Sequence, residues 1–326
     1  YSDLTLTFVG ARGDMARDLV QRANVTFDGY HEVLAGPLHG ISRRGQIASA
    51  VKIALGVVQS LLLAIRLRPQ VLFLTGGWVG FPMAAACWLL RRPIVIYVPD
   101  IEPGLTLKLL GRYFAHTIAA TVPETAAFFP GKRVVTTGYP LRPEILSASR
   151  DEGIQALGLD PARKTLLVFG GSKGSRSINR AVMAALPDLL QEMQVLHISG
   201  KLDWAEVEQA RLSLSPEQAG RYRLYPYLHE EMAAALACAD LALTRAGASS
   251  LGEFPLFGLP AILAPYPYAW RYQRVNADYL ARHGAAEVVE DSDLPDQIVP
   301  LVRSLMTDLP RRQKMAQAMR QLARPD

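Results

Sequence analysis

The chain has 326 residues, about twice the length of one ordinary domain, and half of them are apolar. We therefore expect two globular domains and exclude a disordered or disulfide-stapled scaffold. The net charge of +5 is unevenly distributed, because residues 1–150 hold 16 Lys and Arg against 9 Asp and Glu, whereas residues 151–326 hold 19 against 21. The basic first half predicts an anionic partner, which could be a nucleic acid, an acidic substrate or a membrane surface, unless these residues simply face solvent.

The chain opens on a strand-like alternation at residues 4–10 with no methionine before it, so we expect that upstream sequence is missing. The longest apolar run, residues 53–65, would measure about 20 Å as a helix and fall short of the roughly 30 Å of a bilayer core. Apolar runs rich in β-branched residues then recur between stretches long enough for crossover helices. These runs are residues 71–74, 93–98, 117–121, 134–137, 165–169, 195–198, 241–244 and 261–264.

This alternation is typical of parallel sheets that are covered by helices on both faces. The turn-forming residues 138–143 (Gly-Tyr-Pro-Leu-Arg-Pro) and the polar residues 147–153 form a natural linker. We therefore predict an α/β protein of two doubly wound, Rossmann-like domains, residues 1–145 and 146–326, with a cleft between them. In such sheets ligands bind beyond the carboxyl ends of the strands, so the loops that follow strands are expected to carry the chemistry.

The loop after the run at 165–169 contains Gly170, Gly171 and Gly174 and precedes an amphipathic stretch at 178–190. Such glycines let the backbone approach a ligand closely, and a helix start offers free N–H groups and the positive end of a dipole. The loop therefore predicts a phosphate or diphosphate site, with a plain strand-to-helix turn as the alternative. Its spacing is neither that of the P-loop nor that of the dinucleotide-binding GxGxxG motif.

Two later loops carry polar side chains that suit a sugar. We expect Glu253 one or two turns into a helix, where its carboxylate could accept hydrogen bonds from two sugar hydroxyls or merely complement the helix dipole. Gln273 and Asn276 are three residues apart and share a helix face, which suits a neutral polyol or a solvated surface. The two cysteines, Cys87 and Cys238, are expected to be small buried hydrophobic residues.

The spacing of these residues is specific. It closely resembles the donor-binding domain of the MurG family, the peptidoglycan N-acetylglucosaminyltransferases, which have the GT-B fold. The motifs are Gly170-Gly171-Ser172-x-Gly174, Asn179 and Arg245-x-Gly247-x5-Glu253-x4-Gly258-x-Pro260-x4-Pro265-x7-Gln273-x2-Asn276. The resemblance reaches the first half through Gly76-Gly77-Trp78-Val79, Pro103-Gly104-Leu105-Thr106 and Gly138-x-Pro140-Leu141-Arg142.

This resemblance implies a donor domain at residues 146–326 that binds UDP-N-acetylglucosamine (UDP-GlcNAc), and an acceptor and membrane-associated domain at residues 1–145. It implies that Glu253 holds the ribose hydroxyls, that Leu228 packs beside the uracil, and that Gln273 and Asn276 face the sugar. It also implies a cradle for the diphosphate, formed by Gly171, Ser172 and Gly174 with Arg142 and Arg245 nearby.

Residues 97–100 (Tyr-Val-Pro-Asp) stand where the family usually has His-Glu-Gln-Asn, so a histidine and a carboxylate expected near the acceptor are missing. Inverting sugar transfer needs a base, and Asp100 is our candidate; a structural role at a turn and a base upstream of residue 1 are the alternatives. The scattered histidines, His197 among them, are expected to be structural. We expect Asp291-Ser292-Asp293 to cap a helix instead of binding a metal, and we expect no cofactor.

The resemblance thus implies transfer of N-acetylglucosamine to an undecaprenyl-diphosphate-linked acceptor by an enzyme peripheral on the cytoplasmic side of the membrane. The altered residues 97–100 leave open another acceptor or a homologue that binds nucleotide sugars without turnover, and a UDP-GlcNAc 2-epimerase is a weaker alternative. The basic first half then indicates anionic lipid and not nucleic acid. The basic residues around the apolar run are Arg43, Arg44, Lys52, Arg66, Arg68, Arg91 and Arg92.

Overall fold

The computed structural model describes residues 4–13, 16–22, 25–37, 42–171, 173–267 and 272–324. Contacts along the chain define two compact units. The first unit comprises Tyr1–Pro99 and Pro103–Thr136, and the second comprises Asp100–Glu102 and Thr137–Asp326. The short segment Asp100–Glu102, which holds the candidate base, therefore belongs to the second unit.

The first unit alternates strands and helices. Its elements are β1 (Thr7–Ala11), α1 (Ala16–Arg22), β2 (Gly29–Val33), α2 (Arg43–Leu67), β3 (Leu72–Leu74), α3 (Gly80–Leu89), β4 (Ile94–Val98), α4 (Leu105–Tyr113), β5 (Thr117–Ala120), a 3-10 helix (Pro123–Phe128) and β6 (Arg133–Thr136). Strands β3, β4, β5 and β6 form one parallel sheet in that order, and β1 and β2 form a separate parallel pair. The core of this unit packs around Ile94, Ile96 and Ile118, which are fully buried.

Helix α2 is longer than the apolar run predicted at residues 53–65. It has 25 residues, and Ser42 caps its start by accepting a hydrogen bond from Gly45 N at 3.3 Å. By length and composition alone, its segment Gly45–Leu67 is long and apolar enough to span a membrane. The prediction that this helix is too short to cross a bilayer is therefore wrong. The prediction ended the run at the charged residues Lys52 and Arg66, whereas the helix and its apolar pattern continue beyond both of them.

The second unit holds the remaining elements. They are α5 (Pro143–Ser147), α6 (Arg150–Ala156), β7 (Thr165–Phe169), α7 (Arg176–Glu192), β8 (Gln194–Ile198), α8 (Trp204–Arg211), α9 (Pro216–Gly220), β9 (Tyr222–Tyr225), α10 (Glu231–Cys238), β10 (Leu241–Thr244), a 3-10 helix (Ala248–Leu251), α11 (Glu253–Phe257), β11 (Ala261–Leu263), α12 (Tyr272–Arg282), β12 (Ala286–Val288), a 3-10 helix (Asp291–Asp293), α13 (Leu294–Thr307) and α14 (Leu309–Gln321).

The six strands of this unit form one parallel sheet in the order β12-β11-β10-β7-β8-β9. If β7 is numbered as the first strand of the unit, this order is that of the Rossmann fold. In that fold the chain begins at the centre of the sheet and adds strands outward, first on one side and then on the other. Strands β7 and β10 are neighbours at the point where the order reverses. The loops after these two strands are therefore placed where ligands of such sheets bind.

The predicted α/β class with parallel sheets is confirmed. The eight runs predicted after residue 70 are strands whose ends lie within one residue of the prediction. Strands β2, β9 and β12 were not predicted; β9 is interrupted by Arg223 and β12 by Glu287, so neither is a continuous apolar run. Helix α7 buries Ile178, Val182, Leu186 and Leu189, whose spacing of three or four places them on one face.

Candidate functional site

The loop after β7 is held in a tight turn against the end of β8. Gly171 and Gly174 have φ angles of +84° and +79°, and Gly174 N donates to Gly171 O at 3.0 Å. A Cβ at position 174 would lie 2.3 Å from Ser199 O, so the close approach of the two chains requires glycine there. Helix α7 begins at Arg176, and its cap residue Ser175 makes no side-chain capping bond to the amides of the first turn.

A buried network behind α7 fixes this loop. Asn179 Nδ2 donates to Ser199 O at 2.8 Å and to Asp203 Oδ2 at 3.0 Å, and Arg176 Nε donates to Asp203 Oδ1 at 3.0 Å. His197 lies 3.0 Å from Asn179 Oδ1 through Nε2 and 2.7 Å from the Tyr222 hydroxyl through Nδ1. Burial lowers the pKa of His197 to about 3, so the ring is neutral. His197 is therefore structural, as its isolation in the sequence suggested.

An open pocket of about 900 Å³ lies beside the loop. It is lined by the loop, by several residues of α7 and by residues of later elements, and cationic side chains are prominent among them. Its lining includes Gly170, Lys173, Gly174, Arg176, Arg245, Tyr266, Gln273 and Asp291. The pocket thus brings three predicted site residues together, namely Gly174, Arg245 and Gln273. Ser172 lies outside the described residues.

Arg245 lines this pocket but is buried and neutralised by protein groups. Its guanidinium forms an ion pair with Asp291, donates to Ser177 Oγ at 2.7 Å, and donates to Ala264 O at 2.8 Å. Asp291 also accepts from Ser177 Oγ at 2.7 Å. Arg245 therefore joins the loop after β10 to the start of α7 and to the segment after β12. These contacts were not predicted, because Asp291 lies far along the chain from Arg245.

The predicted capping role of Asp291-Ser292-Asp293 is wrong in its detail. Asp293 occupies the cap position of α13 but makes no side-chain capping bond. Asp291 instead forms an ion pair with Arg245. A buried guanidinium needs a counter-charge more than a helix start needs a cap, because an unpaired buried charge is far more costly. In the described ranges no group of three or more His, Cys, Asp or Glu side chains is arranged to hold a metal ion.

Glu253 lies at the first position of α11 and not one or two turns into a helix as predicted. The residues before it, Ala248–Leu251, form a separate 3-10 turn that ends at Gly252. Burial raises the pKa of Glu253, whereas a hydrogen bond from Ser249 and the charge of Arg142 lower it. Tyr139 packs directly on Gly252, where an added Cβ would lie 2.5 Å from the Tyr139 Cβ. Glu253, Arg142 and Tyr139 therefore form one cluster.

Asp100 and Asn276 meet in the second unit. Asn276 Nδ2 donates to Asp100 Oδ1 at 2.8 Å and to Ala246 O at 3.1 Å, and Asn276 Oδ1 accepts from Ile101 N at 3.2 Å. Burial raises the pKa of Asp100, and the bond from Asn276 lowers it. Asp100 also acts on the cluster around Glu253, since burial and then the charges of Glu253 and Asp100 raise the pKa of Tyr139.

The remaining predicted residues take separate places. Leu228 is buried in the connection between β9 and α10. Gln273 is half-buried at the start of α12, and its Oε1 accepts from Tyr266 N at 2.9 Å. In the first unit, Tyr97, at the position of the family's usual histidine, is buried with its hydroxyl 2.8 Å from Thr121 Oγ1.

Comparison with known proteins identifies the class. Residues 165–326 match the family model described as the glycosyltransferase family 28 C-terminal domain. The crystal structure of Acinetobacter baumannii MurG superimposes with a TM-score of 0.75 at 26% identity and covers 98% of this chain and 87% of its own. These matches and the parallel sheets with their glycine-rich loop define a glycosyltransferase of the GT-B class.

A relative from Roseiflexus sp. (strain RS-1) is 36% identical over 98% of this chain and 80% of its own length. It is named UDP-N-acetylglucosamine–N-acetylmuramyl-(pentapeptide) pyrophosphoryl-undecaprenol N-acetylglucosamine transferase. The chain belongs to this family, the MurG transferases, as the sequence motifs predicted. A UDP-GlcNAc 2-epimerase from Neisseria meningitidis, solved with UDP-GlcNAc bound, has a TM-score of 0.69 at 12% identity, which is a likeness of fold alone.

Proposed function

We propose that this protein transfers N-acetylglucosamine from UDP-GlcNAc to an undecaprenyl-diphosphate-linked muramyl-pentapeptide acceptor in peptidoglycan synthesis. Membership of the MurG family supports the reaction and its substrates. One observation supports the position of the donor site. The glycine-rich loop follows β7 and the Glu253 cluster follows β10, and these two strands are neighbours where the Rossmann strand order reverses.

In this proposal the diphosphate of the donor lies at the start of α7. The backbone of Gly171 and Gly174 contacts its oxygens, where amide N–H groups and the helix dipole stabilise negative charge. Lys173 and Arg142 add positive charge, and Arg245 acts indirectly, because its own charge is already paired with Asp291. Glu253 accepts hydrogen bonds from the ribose, Leu228 packs beside the uracil, and Gln273 faces the sugar.

Transfer with inversion requires the acceptor hydroxyl to attack the anomeric carbon from the side opposite UDP. The new C–O bond forms as the bond to the UDP oxygen breaks, and the departing diphosphate takes up negative charge at the α7 start. The hydroxyl proton passes to Asp100, whose half-buried position favours a carboxylate that is more basic than usual.

A membrane surface is the proposed location of the acceptor. The face of α2 opposite the core carries exposed apolar side chains at intervals of three or four residues: Ile47, Val51, Leu55, Val58, Leu62 and Ile65. Ile53, Ser60 and Ala64 are buried on the other face, so α2 is anchored to its unit along one side. Exposed basic side chains at Lys52, Arg66, Arg68 and Arg91 complete a surface suited to anionic lipid on the cytoplasmic side.

This arrangement favours an in-plane contact over a spanning helix and also over a nucleic-acid contact. Co-sedimentation with vesicles tests it. Binding should increase with the fraction of anionic lipid and weaken with salt; binding that is indifferent to anionic lipid would reject the electrostatic part of the proposal.

The reaction itself is tested by measuring UDP release from UDP-GlcNAc with and without a muramyl-pentapeptide pyrophosphoryl-prenol acceptor. We expect release that depends on the acceptor. Donor binding without release would instead support a homologue that lacks turnover. Conversion of UDP-GlcNAc in the absence of any acceptor would support an epimerase, and either result would reject the proposed reaction.

A further inference from the structure

Tyr139 belongs to the second unit and packs on the start of α11. A Cβ placed on Gly252 would lie 2.5 Å from the Tyr139 Cβ, 3.1 Å from its Cγ and 3.2 Å from its Cδ1. The tyrosine can occupy this place because position 252 carries no side chain. Gly252 directly precedes Glu253, so Tyr139 lies beside the carboxylate to which we assign the ribose.

The backbone around Tyr139 is constrained on both sides. Gly138 is buried with a φ angle of +74°, and a Cβ there would lie 2.8 Å from Arg324 O. Pro140 follows Tyr139, and a proline restricts the residue before it to extended backbone angles. A rigid backbone therefore presents the tyrosine, which reduces the entropy that is lost when a ligand contacts its side chain.

The hydroxyl of Tyr139 is a donor that the protein leaves available. The residue is half-buried, and its hydroxyl makes no hydrogen bond to any residue that the structure describes. Burial and then the charges of Glu253 and Asp100 raise the pKa of the phenol, whereas the charge of Arg142 lowers it. The phenol is therefore neutral at physiological pH and keeps its O–H group.

The groups of this cluster differ in what they can bind. Carboxylates accept hydrogen bonds and suit ribose hydroxyls, whereas the Tyr139 hydroxyl and the Arg142 guanidinium can donate them and suit phosphate oxygens. The charges of Glu253 and Asp100 repel a diphosphate, so donors in the same cluster offset part of that repulsion. The phosphate that adjoins the ribose is therefore the part of a nucleotide best matched to Tyr139.

We propose that Tyr139 is a further residue of the donor site and that its hydroxyl donates a hydrogen bond to the diphosphate beside the ribose. This inference rests on the proposed function, in which Glu253 binds the ribose of UDP-GlcNAc and Arg142 adds positive charge at the diphosphate. The motif Gly138-x-Pro140-Leu141-Arg142 leaves position 139 open, so the resemblance to the family assigns no role to this tyrosine.

Three ligands of increasing size test the contact in Tyr139→Phe, which keeps the ring on Gly252 and removes only the hydroxyl. Isothermal titration calorimetry of the full chain measures the affinities for uridine, UDP and UDP-GlcNAc. Affinity for UDP and for UDP-GlcNAc should fall equally, by about 10- to 100-fold, because a hydrogen bond to a charged phosphate is lost. Affinity for uridine should change less than about twofold, since uridine has no phosphate to accept that bond.

Tyr113→Phe is the matched control. Tyr113 is 58% exposed at the end of α4 in the first unit, so its variant should bind all three ligands like the wild type. Unchanged UDP affinity in Tyr139→Phe would overturn the proposal. An equal loss for uridine would place the hydroxyl on the nucleoside, and a loss confined to UDP-GlcNAc would place it on the sugar. Either result would overturn the assignment to the diphosphate.

Thermal unfolding separates a ligand contact from a structural role. Tyr139→Phe should melt at the wild-type temperature, because the hydroxyl makes no hydrogen bond within the described part of the chain. A lower melting temperature together with weaker binding of all three ligands would show a structural role and overturn the proposal.

Binding is measured without an acceptor, so this inference can be separated from the proposed reaction. A chain that loses UDP affinity in Tyr139→Phe as expected, but transfers no sugar as wild type, would support the contact and reject the proposed reaction. A wild type that binds none of the three ligands would overturn both.

Discussion

At the scale of single residues, three carboxylates of the second unit differ through their partners. Asp291 is paired with the buried guanidinium of Arg245. Asp100 accepts a hydrogen bond from a neutral amide, and Glu253 accepts one from Ser249 with the charge of Arg142 close by. Burial raises the pKa of both Asp100 and Glu253. Of these three carboxylates, Asp100 and Glu253 are therefore the candidates for contact with a ligand.

Replacement of Glu253 tests the ribose contact. Glu253→Ala should weaken UDP binding by about 1–3 kcal/mol, because hydrogen bonds to a charged acceptor are lost. Isothermal titration calorimetry measures this change. Glu208→Ala, an exposed carboxylate on α8, should leave the affinity unaltered. Equal UDP affinities for wild type and Glu253→Ala would reject the assignment.

The pH dependence of uridine binding tests the same carboxylate. Uridine is the ligand of choice here, because it lacks the diphosphate that titrates in the same range. The ionised form of Glu253 is the hydrogen-bond acceptor, and burial raises its pKa. The affinity for uridine should therefore be full at neutral pH. It should be lost as the pH falls, and the loss should occur at a higher pH than the titration of an ordinary glutamate. Glu253→Gln should abolish this acidic limb; a limb that persists in the variant would belong to another group.

The residue types of the site could be read from the sequence more readily than their partners. Gly174 was predicted from its position after a strand, and its positive φ angle and close approach to Ser199 explain the requirement. The pairing of Arg245 with Asp291 could not be predicted, since it arises from the adjacency of β10, β11 and β12 in the folded sheet. The engagement of Asn276 by Asp100 depends on a tertiary contact in the same way.

At the scale of elements, the loop after β7 and the start of α7 act together. Gly174→Ala would place a Cβ 2.3 Å from Ser199 O at a backbone φ of +79°. We expect the loop to shift and UDP affinity to fall at least about tenfold, or roughly 1.4 kcal/mol. Gly220→Ala is the matched control, because a Cβ there meets no atom within 4 Å. Similar affinities in the two variants would show that the loop does not contact the diphosphate.

Helix α2 gives a second prediction at this scale. Val58→Asp with Leu62→Asp changes two exposed side chains of its apolar face, whose relative exposures are 57% and 65%. Vesicle binding should fall at least about tenfold, since each buried apolar side chain contributes about 1.5–3 kcal/mol to partitioning. UDP affinity should be unchanged. Leu212→Asp, 73% exposed in the second unit, should bind vesicles like the wild type; loss of binding in that variant as well would show that α2 is not the contact.

At the scale of the whole molecule, the fold class followed from continuous apolar runs between helical stretches, because strands buried on both faces must be apolar throughout. The order of the strands did not follow from those runs. Short or interrupted strands such as β9 and β12 are fixed by pairing with their neighbours, and pairing is a property of the folded sheet. The motif spacing supplied the family, which the 36% identical relative confirms.

The stereochemistry of the product tests whether this protein is an inverting N-acetylglucosaminyltransferase. UDP-GlcNAc and the muramyl-pentapeptide pyrophosphoryl-prenol acceptor are incubated with the full chain, and the product is examined by mass spectrometry and by NMR of its anomeric proton. We predict one N-acetylhexosamine added to the acceptor in a β linkage, which is the inverse of the donor's α linkage. A retained α linkage, or an unmodified acceptor in the presence of bound donor, would rule out the proposed inverting transfer.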